Sequence, residues 1–201
     1  MIRVLLAEDQ AMVRGALASL LELEPDLAVV AQVGRGDEVV EAARATAPDV
    51  ALLDIEMPGA TGLEAAARLA AELPRVHVLI LTTFGRPGYL RRAMADGAAG
   101  FLLKDAPAPE LANAIRRAAG GERVVDPGLA AAALSEGESP LTAREREVLV
   151  QAREGGTIAE VAQALHLSHG TARNHLSAAM QKLDARTRAE AVRIAEQQGW
   201  L

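Results

Sequence analysis

Over the first 121 residues, five short apolar runs alternate with five amphipathic segments, and this alternation leaves few folds open. The runs lie near 2–7, 27–33, 49–54, 76–82 and 99–103, and most are continuously apolar rather than alternating in polarity. A strand that is apolar on both faces is buried on both, as in a parallel sheet covered by helices. Between the runs, apolar residues recur at i, i+3 and i+4 near 11–23 (Met12, Val13, Ala16, Leu17, Leu20, Leu21), 37–46, 62–73, 88–96 and 109–119. These are amphipathic helices, and the strand–helix alternation predicts an α/β, doubly wound parallel sheet of five strands. Turn signals agree: Glu24-Pro25-Asp26, Pro48, Met57-Pro58-Gly59 and Pro74 fall at the joins.

Four of the runs end on residues that handle metal or phosphate. Val4-Leu5-Leu6-Ala7 closes on Glu8-Asp9, Val50-Ala51-Leu52-Leu53 on Asp54, Val78-Leu79-Ile80-Leu81 on Thr82, and Phe101-Leu102-Leu103 on Lys104. Open α/β sheets bind ligands at the carboxyl ends of their strands, so adjacent strands would gather three acids, a hydroxyl and an ammonium in one crevice. That set suits a divalent cation and a phosphoryl group, because crowded carboxylates need a cation and a phosphate needs donors. Of the 21 basic residues only Lys104 and Lys182 are lysines, and a compact ammonium reaches a single oxygen where a planar fork would not fit.

Half the residues are hydrophobic but only 2% are aromatic, so the cores are built from Ala, Leu and Val, and the composition argues against disorder. The absence of cysteine excludes disulfides and thiolate metal sites. Met1-Ile2-Arg3-Val4 opens directly on a strand, unlike a signal peptide, and no apolar stretch approaches the roughly 18 residues of a membrane span. A soluble, cytoplasmic chain is the expectation.

Charge divides the sequence. Residues 1–139 carry 13 basic and 20 acidic side chains, whereas residues 140–201 carry 8 and 7. An acidic front and a near-neutral back imply two domains with different partners. The expected boundaries are an α/β domain over 1–121, a linker over 122–139 and an all-α domain over 140–201. Within the linker, Val124-Val125-Asp126-Pro127-Gly128 reads as a turn, an Ala-rich stretch follows, and Ser135-Glu136-Gly137-Glu138-Ser139-Pro140 is rich in breakers.

Three capping boxes mark helix starts in the last third: Thr142-x-x-Glu145, Thr157-x-x-Glu160 and Thr187-x-x-Glu190. A further helix spans about 169–183, entered through His166-Leu167-Ser168, and a helix, short turn and second helix form the DNA-reading layout. Ala172, Leu176, Ala179 and Leu183 share one stripe of that helix and should pack inward. Arg173, Asn174, Ser177 and Gln181 then face outward, where Arg suits guanine and Asn suits adenine in the major groove.

These motifs together resemble the two-component response regulators of the NarL/FixJ family, in which a CheY-like receiver precedes a LuxR-type helix-turn-helix domain. The match is carried by Ala7-Glu8-Asp9, by Leu53-Asp54-Ile55-Glu56-Met57-Pro58-Gly59 with Gly62, by Leu81-Thr82-Thr83, and by Gly97 through Asp105. In the last third it runs through Leu141-Thr142-x-Arg144-Glu145-x-Glu147-Val148-Leu149 and Gly170 through Leu176. Within the family, Ala7-Glu8-Asp9-Gln10, Thr82-Thr83-Phe84-Gly85-Arg86-Pro87-Gly88-Tyr89 and Leu111-Ala112-Asn113-Ala114-Ile115-Arg116 are most similar to DesR-like regulators, whose kinases are membrane-embedded DesK-like proteins.

The resemblance implies a role for each residue. Asp54 would accept a phosphoryl group from a sensor histidine kinase. Asp9, Asp54 and the Glu56 backbone carbonyl would hold Mg²⁺, with Glu8 acting through water; Thr82 and Lys104 would bind phosphoryl oxygens, and Phe101 would rotate as Thr82 moves. Phosphorylation would favour a homodimer that reads two half-sites in promoter DNA through Thr171, Arg173, Asn174, Ser177, Lys182 and Arg186, with RNA polymerase as a further partner. Moving such a switch from 1:99 to 99:1 takes about 5.5 kcal/mol, within reach of a buried phosphate with several charge-assisted contacts.

Three positions depart from the family pattern: Ala172 replaces a β-branched residue, Asp105 follows Lys104 where many receivers have Pro, and Phe101 lacks the hydroxyl of a Tyr switch. Arg35-Gly36-Asp37 spells an adhesion tripeptide by chance, and Gly34-x-Gly36 fails the dinucleotide fingerprint because Val39 holds the third glycine position. His77, His166, His169 and His175 lack metal-ligand spacing, and Asp49 and Asp96 read as solvated caps. Two alternatives stand beside the main reading: a phosphorylation-independent DNA-binding regulator with a vestigial receiver, and a haloacid-dehalogenase-like phosphohydrolase, which would need Asp where residue 7 is Ala.

Overall fold

Parallel strands bury both faces only when helices cover both, and the sheet meets this requirement. The computed structural model of the chain describes residues 1–83, 87–135, 139–153 and 155–201. Phe84, Gly85 and Arg86 of the Thr82–Tyr89 stretch, and residues 136–138 of the breaker-rich segment, lie outside the described residues. Two compact units divide the chain, one formed largely by residues 1–132 and the other largely by 133–201.

In the first unit the elements are β1 (Ile2–Ala7), α1 (Ala11–Glu22), β2 (Leu27–Val33), α2 (Val39–Thr46), β3 (Val50–Asp54), α3 (Gly62–Glu72), β4 (His77–Thr82), α4 (Pro87–Ala95), β5 (Gly100–Leu103), α5 (Ala108–Ala119), β6 (Val124–Val125) and α6 (Pro127–Ser135). The strand order is β2-β1-β3-β4-β5-β6, all parallel. The five expected strands are present and a sixth is added at the edge. Val124 and Val125, read from the sequence as a turn within a linker, pair with Gly100 and Phe101. Two β-branched residues beside an open sheet edge satisfy that edge's backbone groups, and a two-residue strand is too short to show a period. The Ala-rich stretch that follows is helical, started by the Asp126 carboxylate, which accepts the Leu129 N–H at 2.9 Å.

One face of the sheet buries Val4, Leu6, Leu52, Leu79 and Leu81 against Ala18 and Leu21 of α1 and Leu111, Ile115 and Ala118 of α5. Alternate residues Leu5, Ala51, Leu53, Val78, Ile80 and Phe101 are buried too, as the period of two requires of a sheet covered on both sides. The α1 pattern is only half used for this core. Ala18 and Leu21 are buried and Leu17 packs beside them, whereas Met12, Leu20 and Leu23 are exposed. Glycine serves the close approaches: a β-carbon on Gly62 would overlap the Asp54 carbonyl, against which its backbone lies.

The second unit comprises α7 (Ala143–Arg153), α8 (Ile158–Ala164), α9 (His169–Lys182) and α10 (Arg188–Gln197). Leu149 packs with Ala179, Leu183, Ala191, Val192 and Ala195, while Val148, Ala152 and Val161 form a second small cluster. Ala172, Ala179, Ala191 and Ala195 are fully buried, so their small side chains let helix backbones approach closely. Among the described residues no helix is long and apolar enough to cross a membrane.

Leu52 is fully buried at the centre of the sheet. Leu52→Ala is expected to cost about 2–5 kcal/mol, the transfer loss plus the cavity left behind, measured as a lowered urea midpoint of the first unit's unfolding.

Candidate functional site

The parallel register carries five side chains to one end of the sheet. Asp54 ends β3, Glu8 and Asp9 follow β1, Thr82 ends β4 and Lys104 follows β5. Because β3 lies between β1 and β4, the acids of two loops face each other. Glu8, Asp9 and Asp54 each present a carboxylate oxygen within 4.8 Å of the others. Lys104 Nζ lies 2.7 Å from Glu8 Oε2 and 3.0 Å from Asp54 Oδ2.

Burial sets the electrostatics. Glu8 is 1% exposed, and its desolvation pushes the carboxyl above the ordinary range against the pull of Lys104. Desolvation raises Asp54 as well, opposed by Lys104 and by the Ile55 N–H, which donates to Asp54 Oδ1 at 2.8 Å. Burial works to lower Lys104, but its two carboxylate partners outweigh it and hold the ammonium charged. Three carboxylates against one ammonium leave two negative charges in the ionised crevice. The set therefore fits a divalent cation: hard oxygen donors, a charge deficit of two and a lysine already standing as a counter-cation.

The loops are fixed by their own bonds. Gly62 N–H donates to the Ile55 carbonyl at 2.9 Å, closing the loop that carries Glu56. Thr61 caps α3 in a reciprocal box with Glu64, the same T-x-x-E signal that starts helices in the last third. The Lys104 N–H donates to the Thr82 carbonyl at 2.8 Å, placing the two residues side by side. Phe101 is fully buried on β5 and paired in register with Ile80, two residues before Thr82. Glu56 is exposed on the loop leaving Asp54. Asp49 does more than cap: its carboxylate accepts the Arg3 N–H at 2.8 Å, joining the starts of β1 and β3.

In the second unit, Ser168 caps α9 by accepting the Thr171 N–H at 3.1 Å, and His166 turns the chain with φ of 54°. Arg173, Asn174, Ser177 and Gln181 are exposed on α9, opposite the buried Ala172 and Ala179. Thr171 is half-buried and Arg186 is exposed in the turn before α10. Lys182 differs from these. Its ammonium lies 2.8 Å from Glu145 Oε2, a carboxylate only 5% exposed that also accepts the Thr142 N–H at 2.7 Å. The expected DNA contact of Lys182 thus competes with an internal ion pair, which the sequence concealed because the partners stand 37 residues apart.

Residues 4–116 match the family model described as the response regulator receiver domain, and residues 139–195 match that of the bacterial regulatory proteins of the luxR family. The chain is 47% identical over 201 residues to the transcriptional regulatory protein YvfU of Bacillus subtilis, covering 100% of both. It is 46% identical over 200 residues to the transcriptional regulatory protein DesR of the same organism, covering 100% of this chain and 99% of the relative. The chain belongs to the response regulators.

As a response regulator with a LuxR-type output domain it is a transcription regulator and not a metabolic enzyme, which sets aside the phosphohydrolase alternative. Joined receiver and DNA-binding domains imply a histidine kinase and promoter DNA as partners. Among solved structures, the response regulator ChrA of a heme-sensing two-component system is similar with a TM-score of 0.59 and 34% identity over 100% of this chain and 98% of that one. RcsB in complex with DNA shares the fold, with a TM-score of 0.68, 22% identity and 98% coverage of each chain.

Lys182→Met strands the buried Glu145 without its cation and is expected to cost about 1–3 kcal/mol of second-domain stability. Although its own desolvation opposes this, Lys182 and the Thr142 N–H hold Glu145 below its ordinary range. Their contribution is therefore fully present above the unfolded carboxylate range and lost as pH falls below it, through the lowered folded value. The gap between variant and wild type should accordingly narrow on acidification, followed by urea unfolding at stepped pH.

Proposed function

We propose that this response regulator takes a phosphoryl group on Asp54 from a histidine kinase and, so modified, dimerises and binds promoter DNA. The observation that carries the reading is the junction of Asp54 with Glu8, Asp9 and Lys104, an oxyanion nucleophile beside both cation-holding acids and a phosphate-seeking ammonium.

In the transfer, an Asp54 carboxylate oxygen attacks phosphorus, the bond from phosphorus to the donor nitrogen breaks, and the donor imidazole keeps the electron pair. Glu8, Asp9, Asp54 and the Glu56 carbonyl would hold Mg²⁺, which when bound neutralises charge on the phosphoryl oxygens. Lys104 exchanges one carboxylate for a phosphoryl oxygen without leaving the crevice, and the Thr82 hydroxyl turns toward another. Phe101 then moves into the space Thr82 releases, carrying the change along β5. The receiver thereby promotes its own phosphorylation and dephosphorylation.

The output follows from charge. The DNA-binding third carries 8 basic and 7 acidic residues, too little net charge for one copy to hold a polyanion tightly. Two copies reading half-sites about one helical turn apart supply the missing contacts. On this reading Thr171, Arg173, Asn174, Ser177 and Arg186 face DNA while Lys182 remains with Glu145. The setting is cytoplasmic, with a membrane-embedded, DesK-like sensor kinase as donor and RNA polymerase as the downstream partner.

Acetyl phosphate or beryllofluoride with Mg²⁺ is expected to drive dimerisation and promoter binding, read by light scattering and fluorescence anisotropy, and Asp54→Asn to abolish both responses. Unchanged DNA affinity in that variant would instead favour a phosphorylation-independent regulator. For the output domain, Arg173→Ala and Asn174→Ala should each weaken specific binding by about 1–3 kcal/mol. Arg186→Ala should weaken binding to all sequences and reduce the salt slope by about 1.

A further inference from the structure

The tripeptide Arg35-Gly36-Asp37 is tied by backbone and side-chain bonds into the acid-bearing end of the receiver. It lies in the loop between β2 and α2, folded as a 3₁₀ turn over Gly36–Glu38, between Arg14 of α1, which holds the Glu8 carbonyl, and the loop that leaves Asp54. On one side, the Val33 carbonyl accepts the Glu8 N–H at 3.1 Å. A β-carbon on Gly34 would stand 3.2 Å from Arg14 Nη1, and that guanidinium donates to the Glu8 carbonyl. On the other side, the Gly36 N–H donates to the Pro58 carbonyl at 3.1 Å. Gly36 lies so close to Ala60 that a β-carbon would overlap the Ala60 carbonyl, and the Asp37 carboxylate covers the α-carbon of Gly59, whose φ is 83°. The fork of Arg35 holds that carboxylate at 2.9 and 2.8 Å.

We infer that Gly34–Asp37 is a brace between the two acid-bearing loops, and that Asp37 is a positioning residue for the cation site. Asp37 reaches no crevice atom itself. Its carboxylate packs over Gly59 beside the Gly36–Pro58 bond, and so lines the short turn Glu56-Met57-Pro58-Gly59 that presents the Glu56 carbonyl and leaves Asp54. Pro58 and Gly59, four and five residues beyond Asp54, cannot drift without changing the spacing of Asp54 from Glu8 and Asp9. The brace sits at the surface, with the Arg35 and Asp37 side chains 48% and 45% exposed, so its loss should cost the fold little.

The inference rests on Asp54 as phosphoacceptor, and the test separates the two. The full chain is phosphorylated with acetyl phosphate across a Mg²⁺ series in wild type, Asp37→Asn and Asp37→Ala, beside thermal unfolding of each. In Asp37→Ala the Mg²⁺ concentration for half-maximal rate should rise about ten-fold, with the rate at saturating Mg²⁺ and the melting temperature nearly unchanged, and Asp37→Asn should fall between. A role confined to stability would lower the melting temperature and leave the Mg²⁺ midpoint alone, which overturns the inference. If the wild type takes no phosphoryl group at any Mg²⁺, the phosphoacceptor reading fails. The brace is then decided by Mg²⁺ alone, from the amide resonances of Glu56 and Gly59: a weaker midpoint in Asp37→Ala supports it and an unchanged one refutes it.

Discussion

The Lys104 ammonium between Glu8 and Asp54 is the contact on which the receiver end of the sheet depends. Two carboxylates this deeply buried repel each other and resist ionisation, and one shared cation offsets part of that cost and holds them close. The β1–α1 turn, the end of β3 and the exit from β5 are thereby held at one point. The same arrangement leaves the crevice short of positive charge, so it is stable enough to fold and still receptive to a cation. An arginine would not serve as well here, because a planar fork cannot place a single positive point between two carboxylates and then swing to a third oxygen.

The sheet could be read from the sequence because buried parallel strands are continuous apolar runs, and the crevice because each run ended on a residue with chemistry. Legibility failed where structure depends on few residues or on distant ones. Val124-Val125 is too short for any period, and its strand exists only because β5 offers an unpaired edge. In α1 the periodic apolar residues Met12 and Leu20 gave the helix correctly, yet they face outward, since periodicity shows that a helix is amphipathic and not which part of its stripe meets the core. The ion pair of Lys182 with Glu145 could not be read because Lys182 sits at a polar helix end and its partner lies at another helix's start. Arg35-Gly36-Asp37 likewise acquires meaning only from Pro58, Gly59 and Ala60, which sequence order places more than 20 residues away.

The two units solve the aromatic shortage differently. The receiver fills a wide sheet with Leu, Val and Ile, and Phe101 is its single fully buried aromatic among the described residues. In the output unit, alanines at Ala172, Ala179, Ala191 and Ala195 bring helix backbones together instead of large side chains bridging them. Close backbone contact fixes the angle of α9 through shape, which suits a helix whose outward face must present Arg173, Asn174 and Ser177 in a set direction.

Glu145 holds three groups at once: the Thr142 backbone at the start of α7, the Thr142 hydroxyl through its own N–H, and Lys182 at the end of α9. Capping boxes elsewhere in the chain, at Thr61 and Thr157, close a single helix. This one is also a cross-tie, so the cap of α7 and the far end of α9 share one carboxylate. Losing the acid alone would leave the Thr142 N–H without its acceptor, and losing the lysine alone a buried anion. A substitution at either position is therefore felt at the start of α7 and at the end of α9 together.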